Sequence, residues 1–199
     1  MPLDLISFVV FASAMVATPG PANMVLLTAG ARFGLRRALP FVAGVAIGKQ
    51  FVIWPVGLGM LGVVAQVPML FAAMKWASAA YIVYLAIRIA GARITPASAD
   101  DGVPGFAGGL VVHPLNPKAW AMVTTAFGSF VQAGQPPLWA TAWVAGAFLA
   151  IQCVLHPLWC LGGAWMARTV AGTRIERGLM IGLAALTIAS VAIVLIGGA

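Results

Sequence analysis

Charged residues are scarce in this chain, and acidic residues are the scarcest of them. Only 8% of its 199 residues are charged, with four Asp and Glu against eleven Lys and Arg. A soluble domain carries about 25% charged residues, so this composition excludes a domain that is coated by charge. The 62% hydrophobic content and the mean hydropathy of +1.04 instead predict an integral membrane protein, with the lipid bilayer as its partner.

Cysteine is also rare, and basic clusters on polar surface are missing. The two cysteines, Cys153 and Cys160, lie in one apolar segment, which is not the pattern of a secreted disulfide framework. The net charge of +7 comes from scattered residues, so no nucleic-acid partner is predicted. We find no ATP-binding motif and no embedded nucleophile–base or carboxylate pair. An enzyme and a cofactor are therefore not expected.

Six apolar runs are each long enough to form a membrane-spanning helix. They predict an all-α integral membrane protein with six transmembrane helices in a single domain, residues 1–199. Residues 92–105 are rich in Gly, Pro, Ser and Asp and are interpreted as a linker between two halves, about 1–91 and 106–199. The runs lie at about 5–28, 39–62, 68–91, 117–134, 138–163 and 178–198.

The arginines lie in or beside alternate connections between these runs. They occupy the first, third and fifth connections, whereas the second and fourth carry no charge. Positive residues accumulate in short cytoplasmic loops, so both termini are predicted to be extracytoplasmic. The arginines are Arg32, Arg36, Arg37, Arg88, Arg93, Arg168, Arg174 and Arg177.

Two proline-rich motifs interrupt apolar segments at matching places. "TPGPAN" (18–23) lies within the first run, and "PLNPKAW" (114–120) begins the fourth. Pro21 and Pro117 are separated by about half of the chain. Three helices in each half require the second half to insert upside down relative to the first. The sequence therefore predicts two inverted three-helix repeats, each beginning with a proline-broken helix.

The proline breaks also predict a binding site. A proline is tolerated at the first position of a helix, so Pro21 and Pro117 can each begin a half-helix inside the membrane. The free N–H groups and positive ends of these helices favour an anionic group such as a carboxylate. Lys118 would repel those positive ends, and a bound anion would relieve the repulsion. The predicted substrate-binding residues are Pro19, Gly20, Pro21, Asn23, Asn116, Pro117 and Lys118.

At these residues the chain resembles the lysine exporter/homoserine-threonine resistance (LysE/RhtB) family of bacterial amino-acid exporters. The resemblance is carried by "ATPGPANMVLLTAGARFGLRRALPFVAGVAIG" (17–48) and "NPKAW" (116–120). It implies six helices in two inverted halves, location in the bacterial inner membrane, and efflux of small amino acids or related metabolites in exchange for protons. It also allows a homodimer.

One departure from the family pattern bears on the substrate. Family members that export basic amino acids carry an acidic residue in the second span, where this chain has Lys49. A cationic substrate would lack a counter-charge in the membrane, so the expected substrates are small neutral amino acids or related metabolites. With no embedded acid, Lys49 and His113 are the candidates for proton coupling, since imidazole titrates near neutral pH.

A second constellation supports a different class of substrate. Cys153, His156 and Cys160 are spaced at i, i+3 and i+7 in the fifth run, which places them on one face of a helix. Thiolates and imidazole suit a soft metal ion such as Zn²⁺ or Cu⁺. The alternative interpretation is a soft-metal exporter, although Pro157 disturbs the spacing and no fourth ligand is evident.

Overall fold

The computed structural model describes residues 5–59, 105–132 and 134–197, together with the helical positions 76, 80, 83 and 87. Most of the third predicted span, most of the linker and all acidic residues except Glu176 lie outside this part. The described chain is helical, as predicted. Its helices are α1 (Leu5–Ala17), α2 (Pro21–Gly48), α3 (Gln50–Gly57), α4 (Phe106–Leu110), α5 (Pro117–Phe130), α6 (Pro137–Thr169) and α7 (Arg174–Gly197).

Two of the described helical stretches are long and apolar enough to cross a membrane. They are Pro21–Gly57 and Pro137–Thr169, and the shorter apolar helix Leu5–Ala17 precedes the first of them. The first apolar run is interrupted at 18–20, where α1 ends and α2 begins. The predicted connection between the first two runs, which leaves residues 29–38 outside both, is wrong in length, because helix continues on both sides of Gly34.

Gly34 alone forms the turn between the two limbs of α2. Its φ of 71° and ψ of 163° lie outside the helical region, in a conformation that residues with a Cβ rarely adopt. Side chains from both limbs pack into one buried cluster. Because the cluster joins Ala29 to Ala38 and Ala22 to Val45, the limbs form a hairpin that returns Lys49 to the level of Gly20.

Glycines allow α2 and α6 to touch through their backbones. A Cβ added at Gly30 would overlap the carbonyl of Cys160, and one added at Gly163 would overlap the carbonyl of Leu27. Small residues at helix–helix contacts are typical of membrane bundles, because close backbone approach maximises van der Waals packing. This contact fixes the first limb of α2 against the middle of α6.

A second buried cluster holds α1, α3, α5 and α6 together. Phe8 lies at its centre, edge-on to Phe130 and Phe148 with ring centroids 5.8 and 5.4 Å away. The short helix α4 and the turn 111–116 precede α5, so α4 and α5 flank the second proline motif as α1 and α2 flank the first. The inverted repeat itself stays a prediction, since most of the third span is outside the described residues.

Candidate functional site

A small cavity lies where the two helix breaks meet. Its water-accessible space is about 20 Å³, enough for about one water molecule, so an organic cargo requires the surrounding helices to move apart. The walls come from α1, α2, α5, α6 and the turn before α5. The lining residues are Met15, Val16, Gly20, Ala22, Asn23, Lys49, His113, Asn116, Lys118, Ala119, Met122 and His156.

Most of the residues predicted from sequence share this cavity. Four predicted substrate ligands and both candidate proton carriers line it: Gly20, Asn23, Asn116, Lys118, Lys49 and His113. The three prolines flank it instead. Pro21 and Pro117 are the buried first residues of α2 and α5, and Pro19 contributes a backbone carbonyl to the first break.

At the first break, one side chain from α2 and one from α5 donate hydrogen bonds to carbonyl oxygens at the end of α1. Asn23 Nδ2 donates to the carbonyl oxygens of Val16 and Thr18, each at 2.8 Å. Lys118 Nζ donates to the carbonyl oxygens of Thr18 and Pro19 at 3.0 and 3.2 Å. The ammonium thus faces the negative end of α1, where the last carbonyls have no intrahelical partner.

That geometry corrects the expected role of Lys118. The sequence predicted that its charge faces positive helix ends, whereas the nearest described acceptors are carbonyl oxygens. The start of α2 is nevertheless close by, since a Cβ at Gly20 would lie 3.2 Å from Lys118 Nζ. Gly20 supplies no side-chain cap to α2, and a helix offers no intrahelical acceptor to the N–H groups of its first turn.

At the second break, the chain caps itself locally. Asn116 is the N-cap of α5, and its Oδ1 accepts a hydrogen bond from the N–H of Lys118 at 3.1 Å. Trp120 Nε1 donates to the carbonyl of Pro114 at 2.9 Å, which ties the first turn of α5 to the preceding turn. The start of α5 therefore offers fewer free donors than the start of α2.

Lys49 is fully buried, and the described part of the chain gives it no carboxylate partner. Its Nζ lies 3.7 Å from Met122 Sδ and 4.4 Å from the centroid of the Phe148 ring. A thioether is a weak acceptor and an aromatic face attracts a cation through its quadrupole. The lysine therefore places a basic side chain at the cavity wall, with no acidic side chain among its described contacts.

Two further residues of the site were missed or misassigned from sequence. The Nε2 of Gln152 lies 3.1 Å from His113 Nε2 and 3.3 Å from His156 Nε2. The two imidazole rings stack at 5.7 Å. Gln152 was not singled out, and His156 was considered only as a metal ligand. Polar residues four apart in an apolar helix share one face, and that spacing is the signal that could have found them.

The structure does not bring the three candidate metal ligands together. Cys153 is exposed, whereas His156 and Cys160 are buried. Within residues 5–59, 105–132 and 134–197, no group of three or more His, Cys, Asp or Glu side chains is placed to hold a metal ion. Because Cys153 is exposed while the other two are buried, the three residues do not converge on one site.

The titratable side chains that line the cavity are basic. Among the residues that the structure describes, the lining includes two lysines and two histidines but no Asp or Glu. Glu176, the acidic residue in the described part of the chain, lies at the start of α7 and accepts a hydrogen bond from the N–H of Gly172 at 2.7 Å. The arrangement suits a ligand that carries a carboxylate, and it disfavours a ligand with a cationic side chain.

The sequence relates this chain to bacterial efflux proteins. It is 27% identical to a cysteine/O-acetylserine efflux protein of Shigella flexneri serotype 5b, over 81% of this chain and 83% of that protein. A cysteine/O-acetylserine efflux protein of Salmonella choleraesuis is 28% identical over the same shares. A homoserine/homoserine lactone efflux protein of Salmonella typhimurium is 30% identical over 61% of each chain. No solved structure matches significantly.

The family model for LysE type translocators matches residues 13–198, nearly the whole chain. The match includes both helix breaks and every residue that lines the cavity. The resemblance found in the two proline motifs is thereby confirmed, and the protein is a membrane translocator rather than an enzyme. This chain belongs to the LysE type translocator family.

Proposed function

We propose that this protein exports small neutral amino acids or closely related metabolites across the bacterial inner membrane, driven by a gradient and in exchange for protons. The observation that carries the proposal is the single electropositive cavity at the meeting point of the two helix breaks. The relatives named for cysteine, O-acetylserine, homoserine and homoserine lactone support this substrate class.

The cargo carboxylate binds at the open start of α2, beside the ammonium of Lys118. Lys118 now donates to two neutral carbonyl oxygens at 3.0 and 3.2 Å. A carboxylate is the stronger acceptor, because hydrogen bonds between charged groups are roughly twice as strong as neutral ones. The incoming carboxylate therefore draws Lys118 away from α1 and accepts from the N–H groups of Ala22 and Asn23 as well.

This exchange of partners also provides a way to open the cavity. Lys118 belongs to α5 and its acceptors belong to the end of α1, so the ammonium joins the two breaks across about 100 residues of sequence. Release of the carbonyls by a bound carboxylate loosens that connection. The helices around the breaks can then move apart on one side of the membrane, as alternating access requires.

The electropositive lining argues against basic cargo. A lysine or arginine substrate would bring another basic group next to Lys49 and Lys118, with no Asp or Glu among the described lining residues to receive it. Unlike charges attract and like charges repel most strongly where water is excluded. Selection for small side chains follows from the small space between Met15, Ala119 and Met122.

Transport by purified protein in liposomes tests the proposal. Vesicles are loaded with labelled homoserine, O-acetylserine or lysine, and efflux is measured with and without an imposed pH gradient. We expect gradient-dependent movement of the first two and little movement of lysine. Arg36→Met, which removes an exposed cation far from the cavity, is the matched control for Lys118→Met. Equal transport of lysine, or full activity of Lys118→Met, would contradict the proposal.

A further inference from the structure

Three buried polar side chains form a cluster on one side of the cavity. Gln152 is fully buried, His156 is 1% exposed and His113 is 4% exposed. The amide nitrogen of Gln152 lies between the Nε2 atoms of the two imidazoles, at 3.1 and 3.3 Å. Both histidines line the same cavity as Asn23 and Lys118, whereas Gln152 lies behind them.

This cluster has hydrogen-bonding capacity that no described residue uses. Gln152 Oε1 and the Nδ1 atoms of both histidines are buried without a protein partner. If the amide NH₂ donates to both Nε2 atoms, each ring carries its proton on Nδ1. If the amide is turned over, Oε1 accepts from both rings and the Nδ1 atoms become free acceptors. A buried polar atom without a partner is costly, so the cluster is suited to an additional polar group or a proton.

The cluster can carry one added positive charge, because a second one would be repelled by the first. The imidazole centroids are 5.7 Å apart, and repulsion between two unit charges at that separation lowers the affinity for the second by roughly a hundredfold at an effective dielectric constant of about 20. Lys49 at the end of α2 and Lys118 on α5 are the other charged groups in the lining, and both add to the repulsion. None of the lining residues in the described ranges carries a carboxylate that would offset them.

We propose that His113, Gln152 and His156 form one site that a proton and the ammonium group of the cargo occupy in turn. The inference rests on the proposed export function and extends it, because it names the residues at which cargo and proton compete. With the carboxylate held at the start of α2 and Gln152 Oε1 accepting from both rings, the free Nδ1 atoms of the neutral imidazoles are the acceptors that face the ammonium. Protonation of either ring replaces an acceptor by a cation and expels the ammonium.

The exchange balances one proton against one cargo molecule. When the cavity opens to the outside, a proton from that side forms an N–H bond at a free imidazole nitrogen, and the zwitterionic cargo leaves. When the cavity opens to the cytoplasm, the imidazolium releases this proton to water and the neutral ring accepts the next ammonium. Gln152 is a positioning residue that keeps the two rings parallel and in contact with the same charge.

Two liposome assays test the inference on the complete protein. The first measures homoserine efflux driven by a pH gradient, and the second measures exchange of labelled for unlabelled homoserine without a gradient. In His113→Gln, His156→Gln and Gln152→Leu we expect at least a tenfold loss of gradient-driven efflux, with exchange retained within about threefold. Cys153→Ser, at an exposed position of the same helix, should match the wild type in both assays.

A binding experiment supplies the second readout. Homoserine affinity should fall as the pH is lowered, by up to tenfold for each pH unit, because a proton occupies the ammonium site. The affinity of 4-hydroxybutyrate, which has the same carboxylate and hydroxyl groups but no ammonium, should stay constant within about twofold. In His156→Gln the affinity of homoserine should lose most of its dependence on pH.

Separate results overturn the two proposals. If wild-type protein moves no homoserine or O-acetylserine in either assay, the export function fails and this inference fails with it. If the wild type is driven by a pH gradient and the histidine variants are driven equally well, the inference alone fails. Equal pH dependence for homoserine and 4-hydroxybutyrate overturns it too, because the proton would then compete for something other than the ammonium site.

Discussion

The two helix breaks carry similar proline motifs, yet they are stabilised in different ways. At the first break, the carbonyl end of α1 is satisfied by Asn23 and by Lys118, which is remote in sequence, while the start of α2 has no side-chain cap. At the second break, Asn116 caps α5 and Trp120 binds the preceding turn. The first break is thus open to a ligand and depends on the other half of the chain, whereas the second is self-contained.

This difference assigns different tasks to the two motifs. A self-contained second break holds Lys118 and His113 in fixed positions, since the turn 111–116 is closed by local hydrogen bonds. The first break holds its helices together through a long side chain that can change partners. We infer that movement during transport begins at residues 18–20, and that the second break serves as the rigid side of the cavity.

The largest effect is expected from Lys118→Met. The variant keeps most of the length of the side chain but leaves the carbonyl of Pro19 without its described donor and the carbonyl of Thr18 with Asn23 alone. We expect a loss of about 3 kcal/mol in stability and roughly a hundredfold loss of transport, because a charged hydrogen-bond donor is removed from a buried site. Thermal unfolding in detergent and liposome transport measure the two effects. An unchanged melting temperature would contradict the described role of the ammonium.

Asn23→Leu should have the next largest effect. It removes the donor to the carbonyls of Val16 and Thr18 without a large change of volume. The expected loss is about 2 kcal/mol, the cost of leaving buried acceptors unpaired. Gln50→Met is the matched control, because it removes a single longer amide–carbonyl bond, to Ala145, outside the cavity. A control that is as destabilising as Asn23→Leu would show that the first break has no special dependence on its donors.

The double variant of Asn23→Leu and Lys118→Met sharpens the comparison. Both side chains donate to the carbonyl of Thr18, so the two single effects should fail to add by about 1 kcal/mol. Asn23→Leu and Asn116→Ala share no acceptor, and their effects should add within about 0.5 kcal/mol. Thermal unfolding of the three single variants and the two double variants measures this. Strict additivity in the first pair would mean that the donors act independently.

Much of this site could be predicted from sequence because proline chemistry is local. A proline that follows an apolar run must end one helix or begin another, and the structure begins α2 at Pro21 and α5 at Pro117. The chemical types of Asn23, Asn116 and Lys118 then indicated an interior polar site. These three side chains line one cavity because the fold brings the two motifs together.

The partners of these side chains could not be predicted in the same way. The sequence does not show whether Lys118 faces a helix start or a helix end, because this depends on the angle between α1 and α5. The tight turn at Gly34 could not be predicted from sequence, because the basic residues around it are typical of a longer loop. Gln152 meets His113 across 39 residues of sequence, and such a contact is set by packing of α6 against the turn 111–116.

A smaller effect is expected at the second break. Asn116→Ala removes the N-cap of α5 and should cost about 1 kcal/mol, whereas Asn116→Ser retains a capping oxygen and should recover most of that loss. Transport by the serine variant should stay within about threefold of the wild type, since the second break is not expected to change partners. A serine variant that is stable but inactive would show that Asn116 contacts the cargo directly through its amide.

The smallest effect on stability, and the most specific one, is expected from Gly20→Ala. The added Cβ would lie 3.1 Å from Lys118 Cδ and 3.2 Å from Nζ, and a flexible side chain can yield by the few tenths of an ångström required. The extended backbone at Gly20, with φ of −179°, accepts alanine, so stability should change by less than about 1 kcal/mol. The displaced ammonium should nevertheless weaken cargo binding several-fold. Gly146→Ala, where a Cβ meets nothing within 4 Å, should leave binding unchanged, and equal affinities in the two variants would place the carboxylate site away from the first break.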